Sequence, residues 1–269
     1  MTRPYVHGYD AAEMRRLLDQ AATLADLLHF GTHYPPGAEV LEAGCGVGAQ
    51  TEALLRNSPG VRLTCIDVSR DSLEKAQQRA EEMGCAVNFQ VADIFDLPFA
   101  EASFDHVFLC FVLEHGGDPV KALRALKKVL RPGGTLTVIE GDHGSAHFWP
   151  DSAHARRAIQ CQIALQRQAG GDARIGRRLY PLLTQAGFSA PEVTPRMVYV
   201  DGSKPRLADG FTRNTFAAMI EGVRARAIAT GLASAADFDQ GVADLHRTTE
   251  RDGVFCYTFF KAVGVNTAE

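Results

Sequence analysis

Residues Val40-Leu41-Glu42-Ala43-Gly44-Cys45-Gly46-Val47-Gly48-Ala49-Gln50-Thr51 constrain this chain more than any other stretch. The short apolar run predicts a buried strand, three glycines at alternate positions predict a tight turn, and Ala49–Arg56 predicts a helix. A strand, a glycine turn and a helix N-terminus in that order form the ligand-cradling element of a doubly wound α/β sheet. Gly44 and Gly46 carry no Cβ, so the backbone there can turn sharply and come close to a ligand. The spacing is G-x-G-x-G, not the G-x-G-x-x-G of dinucleotide sites, and suits a nucleoside that carries no pyrophosphate.

Around this element, strands and helices alternate. Asp10–Phe30 predicts an amphipathic helix, with Leu17, Leu18, Ala21, Leu24, Ala25 and Leu28 on one face. Gln20 within it is a candidate polar contact to a ligand, and fits equally a partly exposed helix position. Tyr5 and Tyr9 precede the helix, placed either to close over a ligand or to pack at its entry. Tyr34-Pro35-Pro36-Gly37 breaks the chain before the first strand. The second strand, Val61–Val68, carries Asp67 at its end, 19 residues beyond Gly48. A carboxylate there accepts from ribose hydroxyls in doubly wound folds, while Ser69 and Asp71 are better placed to cap the next helix.

Val87–Ala92 predicts a third strand ending at Asp93-Ile94, and His106–Val112 a central fourth, with Leu113-Glu114-His115 at its carboxyl end. Asp118-Pro119 opens a helix. Leu136–Glu140 predicts the fifth strand, which exits through Glu140-Gly141-Asp142-His143-Gly144-Ser145. That exit is either a solvated loop capped by Asp142 or the lining of a second pocket, beside Phe148 and Trp149. Helices are expected over 153–168 and 175–186. Phe188–Val200, interrupted by Pro191 and Pro195, is expected as an edge strand. Residues 201–251 are mostly helical, and Gly253–Val263 is a β-prone last strand.

A formal net charge of -4 gives no broad attraction to nucleic acid or anionic membranes. The six cysteines include no C-x-x-C pair, so free thiols are expected rather than a metal site or a disulfide framework. The first ten residues do not have the pattern of a signal peptide. No apolar run approaches the ~20 residues of a membrane span. A cytoplasmic location is the expectation.

E-x-G-x-G-x-G after a strand, Asp67, Asp93-Ile94, Leu97-Pro98-Phe99 with Ser103-Phe104-Asp105, and Leu130-Arg131-Pro132-Gly133-Gly134 follow one another across Val40–Glu140. In that order they resemble the cofactor half of the class I S-adenosylmethionine (SAM) methyltransferases. The Asp10–Phe30 helix with its Tyr34–Gly37 break, and the Glu140–Gly144 segment, resemble a small-molecule branch that includes natural-product enzymes. The resemblance implies a Rossmann-like seven-stranded sheet, mostly parallel, whose last strand is antiparallel. It divides the chain into an N-terminal helical cap (1–35), a SAM-binding core (36–200), a helical insertion acting as lid or oligomer interface (201–251), and the last strand with its tail (252–269).

Implied cofactor contacts are Glu42, Gly44, Cys45, Gly46, Gly48, Thr51, Asp67, Val68, Asp93, Ile94, Cys110, Phe111 and Gln20, with Asp93 on the adenine amino group and Ile94 flanking the ring. The implied reaction is in-line displacement of a methyl group from the sulfonium by a small-molecule acceptor, with no nucleic-acid or membrane partner and homo-oligomerisation left open. His115, Glu140, Asp142 and His143 are the base candidates by position, and Tyr5, Tyr9, Phe148 and Trp149 the candidate acceptor contacts. No metal is expected. Two alternatives share the fold: a nicotinamide-dependent oxidoreductase and a non-catalytic SAM-binding protein.

Overall fold

Glu39–Ala43 (β1) is buried from its second residue onward. Val40 and Leu41 enter cores on opposite faces of the sheet, as the two-residue period demands of a strand covered on both sides. The computed structural model describes residues 11–267, with side chains from Arg16 onward. β1 lies between β2 (Arg62–Asp67) and β4 (Phe104–Cys110), both parallel to it. Beyond them, β3 (Asn88–Val91) pairs with β2 and β5 (Leu130–Gly141) with β4, again in parallel.

The last strand, β8 (Val254–Val265), is antiparallel to β5. It is also antiparallel to β6 (His147–Trp149) and β7 (Ser189–Asp201). Cys256 faces His147 on one edge and Tyr199 on the other, and Phe259 faces Gly141 and Arg196, so β5 and β6 share an edge of β8. Among the described residues the sheet therefore has eight strands rather than seven. The added strand has a plain cause. β8 runs on past the end of β5, and its backbone groups there need partners. The chain leaving β5 supplies them after the single 3-10 turn His143–Ser145.

Helices α1 (Ala11–Leu28), α2 (Thr51–Asn57) and α3 (Arg70–Glu82) supply one face of the sheet through Leu24, Leu28, Leu54 and Leu73. Ser69 caps α3 by accepting from Ser72 N, as its position predicts. α4 (Pro119–Val129), capped by Asp118, covers the other face with Ala122, Leu123 and Leu126. Each fully buried leucine among these contributes roughly 1.5–3 kcal/mol. α5 (Ala153–Gln168) joins the first face. The stretch expected as one helix over 175–186 is a 3-10 turn, Ile175–Arg178, followed by α6 (Leu179–Gln185) on the second face.

Between β7 and β8 lies the helical insertion: α7 (Pro205–Leu207), a π-helical segment Ala208–Ala217, α8 (Ala218–Gly222), α9 (Arg224–Ala229) and α10 (Ala235–Arg247). The π segment crosses α1 closely, since a Cβ on Gly210 would run into Thr23. Phe211 and Phe216 pack from it onto Phe255 and Tyr257 of β8. No helix among the described residues is long and apolar enough to cross a membrane.

Candidate functional site

The glycine turn is wedged between two neighbours and open in the middle. Gly44, Gly46 and Gly48 all have positive φ, at 73°, 54° and 74°. A Cβ on Gly44 would strike Val112 at 2.6 Å and one on Gly48 would press Ala76 of α3 at 3.1 Å, whereas one on Gly46 would meet nothing within 4 Å. The turn is held from below. Gly44 N and Cys45 N both donate to Ile66 O, and Glu42 Oε2 accepts from Thr51 Oγ1 at 2.6 Å and Cys65 Sγ at 3.3 Å. Burial pushes the Glu42 carboxyl up to about 7. Glu42 and Thr51 thus brace the turn from inside the protein, both 2% exposed.

Asp67 closes the outer side. Its Oδ2 accepts from Gly46 N and its Oδ1 from Ser69 N, each at 2.9 Å. Burial raises its pKa, opposed by those backbone donors. Val68 beside it is half-exposed. Asp93, past β3, holds the next turn by accepting from Phe95 N, and Ile94 packs against the second core. At the end of β4, Cys110 is partly buried, and desolvation drives its thiol well up. Phe111 adopts a φ of 59°, a conformation costly for a bulky L residue, with its ring 5.4 Å from Phe259. Gln20 is buried and accepts from Arg16 at 3.3 Å.

A second group of polar side chains lies where β4 and β5 end. Glu140 is fully buried, and its Oε1 accepts from Val112 N at 2.9 Å and Leu113 N at 2.7 Å. Its Oε2 has no hydrogen-bond partner among the described residues. Burial, then the nearby Glu114 carboxylate, raises its pKa well above the usual range. His143 is buried with Nδ1 2.8 Å from Tyr257 Oη, and its Nε2 is likewise without a partner among the described residues. Burial lowers the His143 pKa and favours the neutral ring. Asp142 is committed elsewhere: both oxygens receive Arg177, and Oδ1 also caps Gly144 N. His115 stands 3.8 Å from Glu114, whose Oε2 accepts from Gln166 at 3.0 Å.

The sequence-derived residues therefore fall into two adjoining groups, joined by the 111–113 segment that backs Gly44 and feeds Glu140. Tyr5 and Tyr9 lie outside the described residues. Phe148 is half-buried and stacks with Phe255 at 6.5 Å. Trp149, adjacent to Phe148 on β6, points to the opposite face and is 60% exposed, outside the aromatic cluster. Sequence reasoning passes over Glu114 in favour of its histidine neighbour, and takes Tyr257 only as strand-forming. It also misses the buried pair His29 Nε2···Gln50 Oε1, at 2.8 Å, which ties the end of α1 to the glycine turn. No local spacing marks a pair made by residues 21 positions apart.

Residues 41–138 match a family described as a methyltransferase domain. Among curated relatives, the chain is 34% identical over 189 residues to an uncharacterized 37.1 kDa protein in a transposon of Streptomyces fradiae, covering 70% of this chain and 54% of that protein. It is 38% identical over 161 residues to the O-methyltransferase resE of Aspergillus sclerotiorum, covering 59% of this chain and 57% of that one. It spans about half the length of these relatives. Among solved structures, phosphoethanolamine N-methyltransferase 2 of Haemonchus contortus, in complex with phosphomonomethylethanolamine and S-adenosylhomocysteine, superimposes with a TM-score of 0.57 over 92% of this chain and 52% of that one, at 21% identity. This likeness concerns the fold.

Proposed function

From a chain that belongs to the class I SAM-dependent methyltransferases, we propose an enzyme that moves the methyl group of SAM to a small-molecule acceptor by in-line displacement. The observation that carries the reading is the glycine turn open at Gly46, with Asp67 beside it at the end of β2, Asp93 beyond that at the end of β3, and a buried polar group adjoining on the other side. The turn fits a nucleoside: its open middle admits close backbone approach, and the spare lone pairs of Asp67 suit a ribose diol. Asp93 and Ile94 would hold the adenine, and Gln20 would reach from α1. The sulfonium supplies a methyl group that needs no further activation.

The protein's part is to orient the acceptor, exclude water and take a proton where the acceptor has one to lose. Glu140 Oε2 and His143 Nε2 are two of the buried side-chain atoms without a hydrogen-bond partner among the described residues, and both lie at these strand ends. In the tautomer whose Nδ1–H donates to Tyr257, the neutral His143 ring keeps its Nε2 lone pair for that proton. His115 and Glu114 set the charge around them. Asp142, gripped by Arg177, would position His143 through the loop. Residues 201–251 would act as the roof, their π segment closing on α1 and β8. The donor's chemistry supports the roof reading, because an apolar lid shields a sulfonium from water.

Calorimetry tests the cofactor half directly. S-adenosylhomocysteine should bind and NAD should not, and Asp67→Ala should weaken the binding by about 1.5–3 kcal/mol for each charge-assisted hydrogen bond lost. Tight NAD binding with no response to S-adenosylhomocysteine would overturn the reading. A turnover screen of small-molecule acceptors with SAM, read by product mass, tests the other half.

A further inference from the structure

Between the 113–119 segment and residues 163–178 lies a cleft of about 330 Å³ that the methyl-transfer reading does not use. Its floor is apolar, made by Leu113, Ile163, Ala173 and Ile175. Three guanidinium groups line it, Arg167, Arg174 and Arg178, against one carboxylate, Asp172. That carboxylate is already taken: Oδ2 accepts from Arg178 at 2.7 Å and Oδ1 from Arg174 N at 3.0 Å. Arg167 and Arg174 make no ion pair or side-chain hydrogen bond among the described residues.

We propose that this cleft is a binding site for a small organic anion of the phosphoryl class. Two unpaired guanidinium groups beside one cleft repel each other, and an anion between them turns that repulsion into attraction. The planar fork of arginine suits an oxyanion with several acceptor oxygens. Four glycines, Gly116, Gly117, Gly170 and Gly171, form part of the wall, and three of them have positive φ. Gly170 has open space where a Cβ would stand, so a tetrahedral group can approach the backbone there, whereas Gly116 and Gly171 turn that side against protein backbone. The size selects against macromolecules. A volume of 330 Å³ lies at the lower end of small-molecule pockets, enough for a phosphoryl group and a short apolar body resting on the floor.

The cleft is also wired to the polar group at the strand ends. Asp172 N donates to Glu114 O at 2.9 Å, and Gln166, next to Arg167, donates to both Glu114 O and its carboxylate. An anion held by Arg167 and Arg174 would therefore steady the turn that carries Glu114.

Inorganic pyrophosphate is the probe. Calorimetry on the full chain should give saturable binding at one site, weakening as salt is raised. Arg167→Ala/Arg174→Ala should lower the affinity by at least about tenfold, while Arg206→Ala, an exposed arginine outside the cleft, should leave it unchanged. Arg167→Lys/Arg174→Lys keeps the charge without the fork and should fall in between. Circular dichroism establishes that the variants are folded. These measurements require no turnover, so they stand or fall apart from methyl transfer. A flat isotherm for the wild type, or equal affinity in the double alanine variant, overturns the site.

Discussion

Gly44 and Gly46 share a positive φ but face different surroundings, which separates stability from binding at the level of single residues. Gly44→Ala forces a Cβ into Val112 and should cost several kcal/mol by displacing the 111–113 segment. Gly46→Ala meets no protein atom, so it should cost only the roughly 1–2 kcal/mol of a left-handed alanine. It should nonetheless reduce S-adenosylhomocysteine affinity markedly, because its methyl fills the open space of the turn. Melting curves and calorimetry on the pair check this, and wild-type affinity in Gly46→Ala would show that the ligand lies elsewhere. Tyr257→Phe removes the partner of His143 Nδ1. If His143 takes a proton, turnover should fall about 10²-fold with S-adenosylhomocysteine affinity unchanged. Equal turnover would leave positioning as the whole of catalysis.

Elements were legible in the sequence wherever one periodicity held over a sufficient length. β1, β4 and β8 are continuous apolar or aromatic runs, α4 is announced by Asp118-Pro119, and each formed where the pattern placed it within a few residues. β6 was not legible: three residues cannot show a period, and its existence depends on β8 overrunning β5. The site divides in the same way. Asp67 and the glycines announce themselves by spacing, whereas the Tyr257–His143 contact spans 114 positions and exists only through the sheet. Lys261 is a further case. From β8 it donates to Phe30 O at 2.9 Å and Thr32 Oγ1 at 2.5 Å, fastening the chain just after α1. Lys261→Met should lose about 1.5–3 kcal/mol from those charged hydrogen bonds, with proteolysis becoming faster around residues 28–33. An unchanged urea midpoint would show that the ammonium's desolvation cancels its bonds.

For the whole molecule, the price of an open glycine turn is a carboxyl sealed beneath it. Glu42 titrates near 7 in the folded chain because it is buried, against about 4.5 when unfolded. Between those values the folded state holds a proton that the unfolded state has released. Raising pH through that window therefore favours unfolding, by about 3 kcal/mol from this group when complete. Subtracting the urea stability of Glu42→Gln from that of the wild type should give a difference that falls from about pH 4.5 to pH 7. A difference independent of pH would contradict the assignment. The sign matters because ion pairs such as Asp105 with Arg131 hold a carboxyl low and act in the opposite direction.

β8 also sets the order in which the protein can be completed during synthesis. It pairs with β5, β6 and β7, yet it leaves the ribosome after all of them. Until it arrives, β5 presents an unpaired edge and the Phe211 and Phe216 side chains of the insertion have no strand to pack against. At synthesis rates of roughly 5–20 residues per second, the fifty-odd residues between β7 and β8 hold that edge open for a few seconds. A nascent chain in that interval has its glycine turn but neither the Tyr257 partner of His143 nor a packed insertion. Chaperone demand should concentrate there, and a stalled chain would be sticky before it could be active.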